Sequence, residues 1–482
     1  MNPRLARDPR IAILGGGITG LAAAWRIRER APATRVTLFE AGDRLGGVIR
    51  SERCDRWLLE HGPDSLLREK PWAIELCHQL GLGDELIPTE EGNRRTLLVR
   101  DGKVVPVPDA FRLLAPTRLG PFMASRALSW RGRLRALADL VLPRRPTSAG
   151  DESLASFVRR RLGNEVLERL AQPLVGGIYT ADPERLSLAA TMPRFLDLER
   201  RHRSVILGLM RDMNENRAAA TQASGARFSI FLSLRGGLED LPRALVAALP
   251  AQSLRMNCKV QSLTVADAGW QIVTETDTAT VDAVIVALPA PRAAEVLEQL
   301  DPEFAGGLAA IRCASTAVIN LAYPASAWDK PPLGLGLVVP AREKRTILAA
   351  SISSLKYAGR APDGDTLVRA FVGGALAPET LLTRDDDLIG RVRHELADLL
   401  GLRGAPLLTR CTRWLQSMPQ YDVGHLERTE ALHERARKHR TLALAGNAYD
   451  GVSIADCVRS ATRAADSMLD KLANEHRQAA SA

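Results

Sequence analysis

The apolar tetrad Ile11-Ala12-Ile13-Leu14 is followed by three glycines, then by helix formers from Leu21 to Glu29, then by the apolar run Val36 to Phe39. A short apolar run bounded by glycine reads as a buried strand, so residues 11–40 predict a strand, a turn, a helix and a second strand. A helical pattern spans residues 65–87, and Arg94 to Val107 reads as a hairpin turning at Asp101-Gly102. Residues 110–225 are predicted to be largely helical, with proline and glycine breaks, and VDAVIVALP at 281–289 is a second apolar run. Residues 313–375 read as strand-rich and 387–400 as helical. The chain closes with a strand in TLALAG, a turn in NAYDG and a helix from about Val452. Its two ends therefore predict halves of one nucleotide-binding domain, with everything else inserted between them.

Composition narrows the class without naming a function. The chain has 482 residues, 46% hydrophobic and 25% charged, enough for two or three domains with a sizeable core. Six scattered cysteines contain no CxxC pair, which argues against a disulfide framework or a zinc site and fits a reducing, cytoplasmic setting. The eight histidines form no HxxxH or HExxH pattern, so no metal site is expected. Net charge is +9, which favours anionic partners or serves solubility alone. With 4% aromatic residues and no basic segment interleaved with stacking rings, nucleic acid is not an expected partner. The first ten residues carry no apolar core of a secretory signal, and no apolar run is long enough to span a bilayer.

Gly15, Gly17 and Gly20 stand at GxGxxG spacing between a predicted strand and a predicted helix, and Glu40 lies 20 residues beyond Gly20. That arrangement seats a pyrophosphate on helix amides and a ribose on the carboxylate. The continuation AGDRLGG adds a second glycine turn, with Arg44 able to reach a phosphate, and this tilts the reading from NAD to FAD. EHGPDS (Glu60 to Ser65) would return the chain to the same cofactor, and the helix beginning near Val452 would offer its N-terminus to a reduced flavin. His61 adjoins that turn and reads either as a packing residue or as a functional one.

Taken together, GGGITG, FEAGDRLGG, EHGPDS, QPLVGGIYTADPERLS, LRGGLEDLP, MPQYDVGHLER and GNAYDGVSIADC resemble the oxygen-dependent protoporphyrinogen and coproporphyrinogen oxidases of haem biosynthesis. Val48 stands where amine oxidases of the same clan usually carry arginine. The resemblance implies an α/β fold with a discontinuous Rossmann-like FAD domain (1–92, 227–305 and 441–482), a helical, membrane-associating domain (93–226) and a mixed-sheet substrate domain (306–440). FAD would be held by Gly15, Gly16, Gly17, Ile18, Thr19, Gly20, Glu40, Ala41, Arg44, Gly47, Val48, Gly62, Pro63, Asp64, Ser65, Val260, Gly446, Asn447, Val452, Ser453 and Ile454. The Gly177 backbone would face a pyrrole nitrogen, and Lys70 matches a lysine of some coproporphyrinogen-acting members.

Members acting on protoporphyrinogen generally carry an arginine for a substrate propionate in the strand before the RDG turn. Here Thr96 occupies that place, and Arg95 could serve only through a one-residue shift or bulge. The expected reaction is oxidation of protoporphyrinogen IX by O2, three hydride transfers to flavin with H2O2 released; the two guanidiniums of NRR favour this substrate. Coproporphyrinogen III is the alternative, followed by another flavin oxidase of the clan. No catalytic side chain is expected. Handover to a chelatase, a homodimer and peripheral membrane contact complete the expectations. For the last, Ala127, Trp130, Leu134, Leu137 and Val141 fall on one helical face, which suits either lipid or neighbouring helices.

Overall fold

The computed structural model describes residues 8–90, 95–108, 111–112, 114–146, 150–212, 231–266, 269–328, 332, 334–439 and 441–481. Arg94 and, within the expected helical stretch, residues 110, 113, 147–149 and 213–225 lie outside them. The opening pattern folds as β1 (Arg10–Leu14), α1 (Ile18–Arg30) and β2 (Arg35–Phe39). Ile11 to Leu14 are fully buried because β1 is central in a five-stranded sheet ordered Leu254–Arg255, β2, β1, Ala283–Val286, Leu442–Leu444. Every pairing in that sheet is parallel, and its strands come from three distant stretches of chain.

A parallel sheet must be covered on both faces. One face meets α1, the helix Asp240–Ala247 and the C-terminal helix Ile454–Ser481, which form one apolar cluster. The other meets Trp270, Val281 and the helices Ala290–Leu297 and Pro302–Ala309. Arg26 bonds Asp466 at 2.8 Å across α1 and the C-terminal helix. Such half-exposed pairs add little, and the small residues Ala22, Ala23, Ala461 and Ala465 carry the packing.

A second, mixed sheet of seven strands runs Leu408–Pro419, Cys313–Tyr323, Thr366–Gly373, Ile347–Ile352, Gly336–Val338, Thr96–Arg100, Lys103–Pro106. One face packs on the helix Asp385–Leu400, the other on a helical layer within residues 119–209. Inside that layer Arg161 and Asp139 are fully buried as an ion pair, and Asp139 also accepts from Ser204 Oγ at 2.6 Å and the Ile206 amide at 3.0 Å. The predicted apolar stripe divides: Ala127 is buried and Leu137 packs inward, while Trp130, Leu134 and Val141 are 60%, 51% and 73% exposed. No helix among the described residues is long and apolar enough to cross a membrane.

Candidate cofactor and substrate site

Gly15, Gly16 and Gly17 make the whole turn between β1 and α1, and no side chain caps α1. The orphan amides of its first turn, at the positive end of the helix dipole, suit a pyrophosphate. Glycine at position 20 is forced, because a Cβ there would lie 1.9 Å from the Gly15 carbonyl oxygen. Glu40 follows β2; its Oε2 accepts the Gly16 amide and its Oε1 the Gly42 amide, each at 2.8 Å. Two amides orient a carboxylate that has about four acceptor sites, leaving lone pairs for a ribose diol. Ala41 beside it is exposed, and Val260 begins a bulged strand packed near Phe39.

The second glycine turn lies against the first: the Gly46 amide donates to the Gly16 carbonyl at 2.8 Å, and Gly47 follows. Arg44 is a correction. Its guanidinium donates to the carbonyls of Leu45 at 2.9 Å, Ile49 at 3.0 Å and Gly47, so it stiffens its own loop instead of reaching out to a phosphate.

EHGPDS is held from across the fold. Gly62 passes so close to Val48 that a Cβ would meet the Val48 carbonyl oxygen at 1.8 Å. Asn320 Nδ2 donates to the Glu60 carbonyl at 3.2 Å, Trp414 Nε1 to that of His61 at 2.6 Å, Arg369 to that of Gly62, and Ser233 Oγ to that of Asp64 at 2.8 Å. The amides of Gly62, Asp64 and Ser65 have no backbone acceptor among the described residues, so this turn presents donors to a ligand, on either side of Pro63. The Asp64 carboxylate takes Lys356 Nζ at 2.9 Å and Arg369 Nη1 at 2.7 Å; burial opposes its ionisation, but these two cations hold it well below the usual carboxylate range. His61 is 2% exposed, with Nδ1 2.7 Å from Thr412 Oγ1 and Nε2 2.9 Å from Glu52. Both of its ring nitrogens are therefore engaged within the protein.

Asn320, Arg369, Trp414 and Lys356 hold this turn, and sequence reasoning does not single them out. A signal exists for two of them: Asn320 and Arg369 are single polar interruptions in the apolar runs TAVINLAY and TLVRAFVG, and they face each other in register.

The C-terminal turn is organised by Tyr421. Its hydroxyl donates to the Asn447 carbonyl at 2.5 Å and accepts the Gly451 amide at 2.9 Å, while its carbonyl accepts the Ser187 amide at 2.7 Å. Arg185 and Val423 add a 2.8 Å backbone bond, so GIYTADPERLS, PQYDVGH and NAYDG meet at one point. Gly446 is steadied by Ser460 Oγ at 3.1 Å. Ser453 and Asp456 cap the C-terminal helix reciprocally, leaving Val452 to Ile454 at its mouth. Lys70, expected on substrate, is instead ion-paired with Asp456 at 2.5 Å.

Gly177 lies exposed on the helix Gln172–Tyr179, which follows a π-turn over Leu167–Ala171 and ends in left-handed Thr180. Beside it is a small, mainly apolar cleft lined by Gln172, Pro173, Gly176, Val339, Leu348 and Leu376. Thr96 pairs with Gly336 in an unbroken register, and alternation puts it on the helical-layer face with Leu98, whereas Leu97 and Val99 face the opposite cluster. The strand holds no bulge. Arg95 precedes it, exposed and of opposite parity, which corrects its expected place as the propionate anchor.

The family described as flavin containing amine oxidoreductase matches residues 18–469. The chain belongs to that family. It is 38% identical to the coproporphyrinogen III oxidase of Propionibacterium freudenreichii, over 95% of this chain and 90% of that protein. It is 32% identical to human protoporphyrinogen oxidase, over 95% of this chain and 98% of that protein. A crystal structure from Exiguobacterium sp. 255-15, described as a protoporphyrinogen oxidase, superposes with a TM-score of 0.84 at 29% identity, covering 96% and 99% of the two chains. The cofactor of this flavin oxidoreductase is FAD, and the chemistry on the page fits it: α1 amides, a pre-oriented Glu40 and a turn of unclaimed donors. No group of three potential metal ligands occurs among the described residues.

Proposed function

We propose that this chain oxidises coproporphyrinogen III to coproporphyrin III, consuming three O2 and releasing three H2O2. The observation that carries the choice of substrate is Thr96, in regular register at the place where the family resemblance implies an arginine in protoporphyrinogen-acting members. The higher identity to a coproporphyrinogen III oxidase supports it over protoporphyrinogen IX. FAD supplies the two-electron acceptor. The protein's own residues would bind and orient: the α1 amides and Glu40 would hold the nucleotide end, the Gly62 to Ser65 amides and the mouth of the C-terminal helix would hold the ring end, and the apolar lining beside Gly177 would be offered to the macrocycle. The backbone of Gly177, exposed on the helix Gln172–Tyr179, would face a pyrrole nitrogen of the macrocycle. The test is aerobic turnover of purified, FAD-loaded protein. Coproporphyrin fluorescence with three peroxides per porphyrin is expected; no enzyme-dependent porphyrin from either porphyrinogen would reject the proposal.

Peripheral contact with an anionic lipid surface is a second reading, supported by the exposed Trp130, Leu134 and Val141 beside Arg131. Cosedimentation with anionic but not neutral vesicles is expected, and its absence would remove this reading.

A further inference from the structure

The groups packed beneath the Gly62 to Ser65 turn carry more positive charge than negative. Lys356 and Arg369 share the single carboxylate of Asp64, at 2.9 Å and 2.7 Å. Arg360 is 1% exposed and bonds only oxygens of Ser233, Leu234 and Arg235, at 2.9 to 3.1 Å, with no carboxylate as a direct partner. A further acid is Glu60, 2% exposed, whose oxygens accept from Ser51 Oγ at 2.6 Å and the Leu238 amide at 2.9 Å; Glu52, on His61, is paired with Arg410 at 3.0 Å. Burial pushes Glu60 up to about 7, so near neutrality it is only partly ionised. Three cations thus stand against one fully ionised carboxylate. Tyr357 packs against two of them, Lys356 at 5.3 Å and Arg360 at 5.4 Å from its ring centroid.

Charge shut away from water acts over longer distances than charge at the surface. This cluster is built into the turn: Asp64 is a turn residue and Arg369 holds the Gly62 carbonyl. We propose that Lys356, Arg360 and Arg369 form an electrostatic device that raises the reduction potential of the flavin seated on this turn, by stabilising the negative charge of its reduced form. The inference rests on the reading that the flavin ring meets Gly62 to Ser65, but not on the identity of the substrate. Arg369 also positions the turn, through the Gly62 carbonyl.

The test is the flavin midpoint potential of holoenzyme, by dye equilibration under argon with no porphyrinogen present. Lys356→Met is expected to lower the potential, Asp64→Asn to raise it, and Lys356→Arg to keep the wild-type value. Opposite signs are what charge demands, whereas a turn held only in shape would shift both the same way or neither. In Lys356→Met, anaerobic flavin reduction by coproporphyrinogen should slow on the order of tenfold, the factor carried by one pK unit of interaction. Should one variant fail to retain FAD, the sign of the other decides. Unchanged potentials, or shifts of the same sign, overturn the proposal. Opposite shifts in an enzyme that oxidises no porphyrinogen would keep the device and reject the substrate assignment.

Discussion

The two ends of the cofactor site are built by different physics. At the nucleotide end, backbone amides and one carboxylate do the binding, and the partners are local: Glu40 reaches Gly16 across 24 residues. At the ring end, the turn at Gly62 is positioned by Arg369 and Trp414, each more than 300 residues away along the chain. The first end needs glycines that permit close approach. The second needs long side chains from another sheet, ionised and buried, which cost desolvation unless each is bonded. A local site depends on a few irreplaceable glycines, and a non-local one spreads its dependence over many contacts.

The largest expected effect therefore falls where backbones touch. Gly20→Ala puts a Cβ 1.9 Å from the Gly15 carbonyl oxygen and should yield protein that no longer retains FAD, read as loss of flavin absorbance per chain. Retention at wild-type level would show that the turn relaxes. Next comes the substrate strand: Thr96→Arg should shift the kcat/KM ratio towards protoporphyrinogen by on the order of tenfold, the scale of one charge-assisted hydrogen bond. An unchanged ratio would detach this position from propionate recognition.

Tyr421→Phe removes the hydroxyl that joins Asn447 to Gly451 and should cost ~1–3 kcal/mol of stability, measured by chemical denaturation, with weaker FAD binding. The smallest effect concerns pH. Burial raises Glu60 above its ordinary value of 4.5 to about 7, so its contribution to stability is complete below about 4.5 and is lost as pH rises through 7. Glu60→Gln should therefore gain ~1–2 kcal/mol relative to wild type on going from pH 5 to pH 8, seen as a flatter dependence of melting temperature on pH. His425 works in the other direction: burial lowers it to about 4, so the stability it contributes is present above 6.5 and lost as pH falls towards 4.

The same contrast sets how much was legible in the sequence. The β1–α1–β2 unit, Glu40, the hairpin at Asp101-Gly102 and the long C-terminal helix follow from periodicity and turn chemistry, which are local. The strand Leu408–Pro419, with its arginines and half-buried tryptophan, has no clean alternation, because one stretch of it faces another domain's turn. It escaped notice, and Trp414 with it. The motifs mark Arg44 and Lys70 as candidate ligand cations, but sequence cannot say that three loop carbonyls and Asp456 lie in bonding reach of them. Arg95 failed for a geometric reason: strand parity, set by pairing with Gly336 to Val338, turns it away from the helical layer.

The central claim is the choice of macrocycle, carried by Thr96. The most direct measurement is kcat/KM for coproporphyrinogen III and protoporphyrinogen IX, determined side by side on the same FAD-loaded preparation under air. A clear preference for coproporphyrinogen III is predicted; equal or greater efficiency with protoporphyrinogen IX would contradict it.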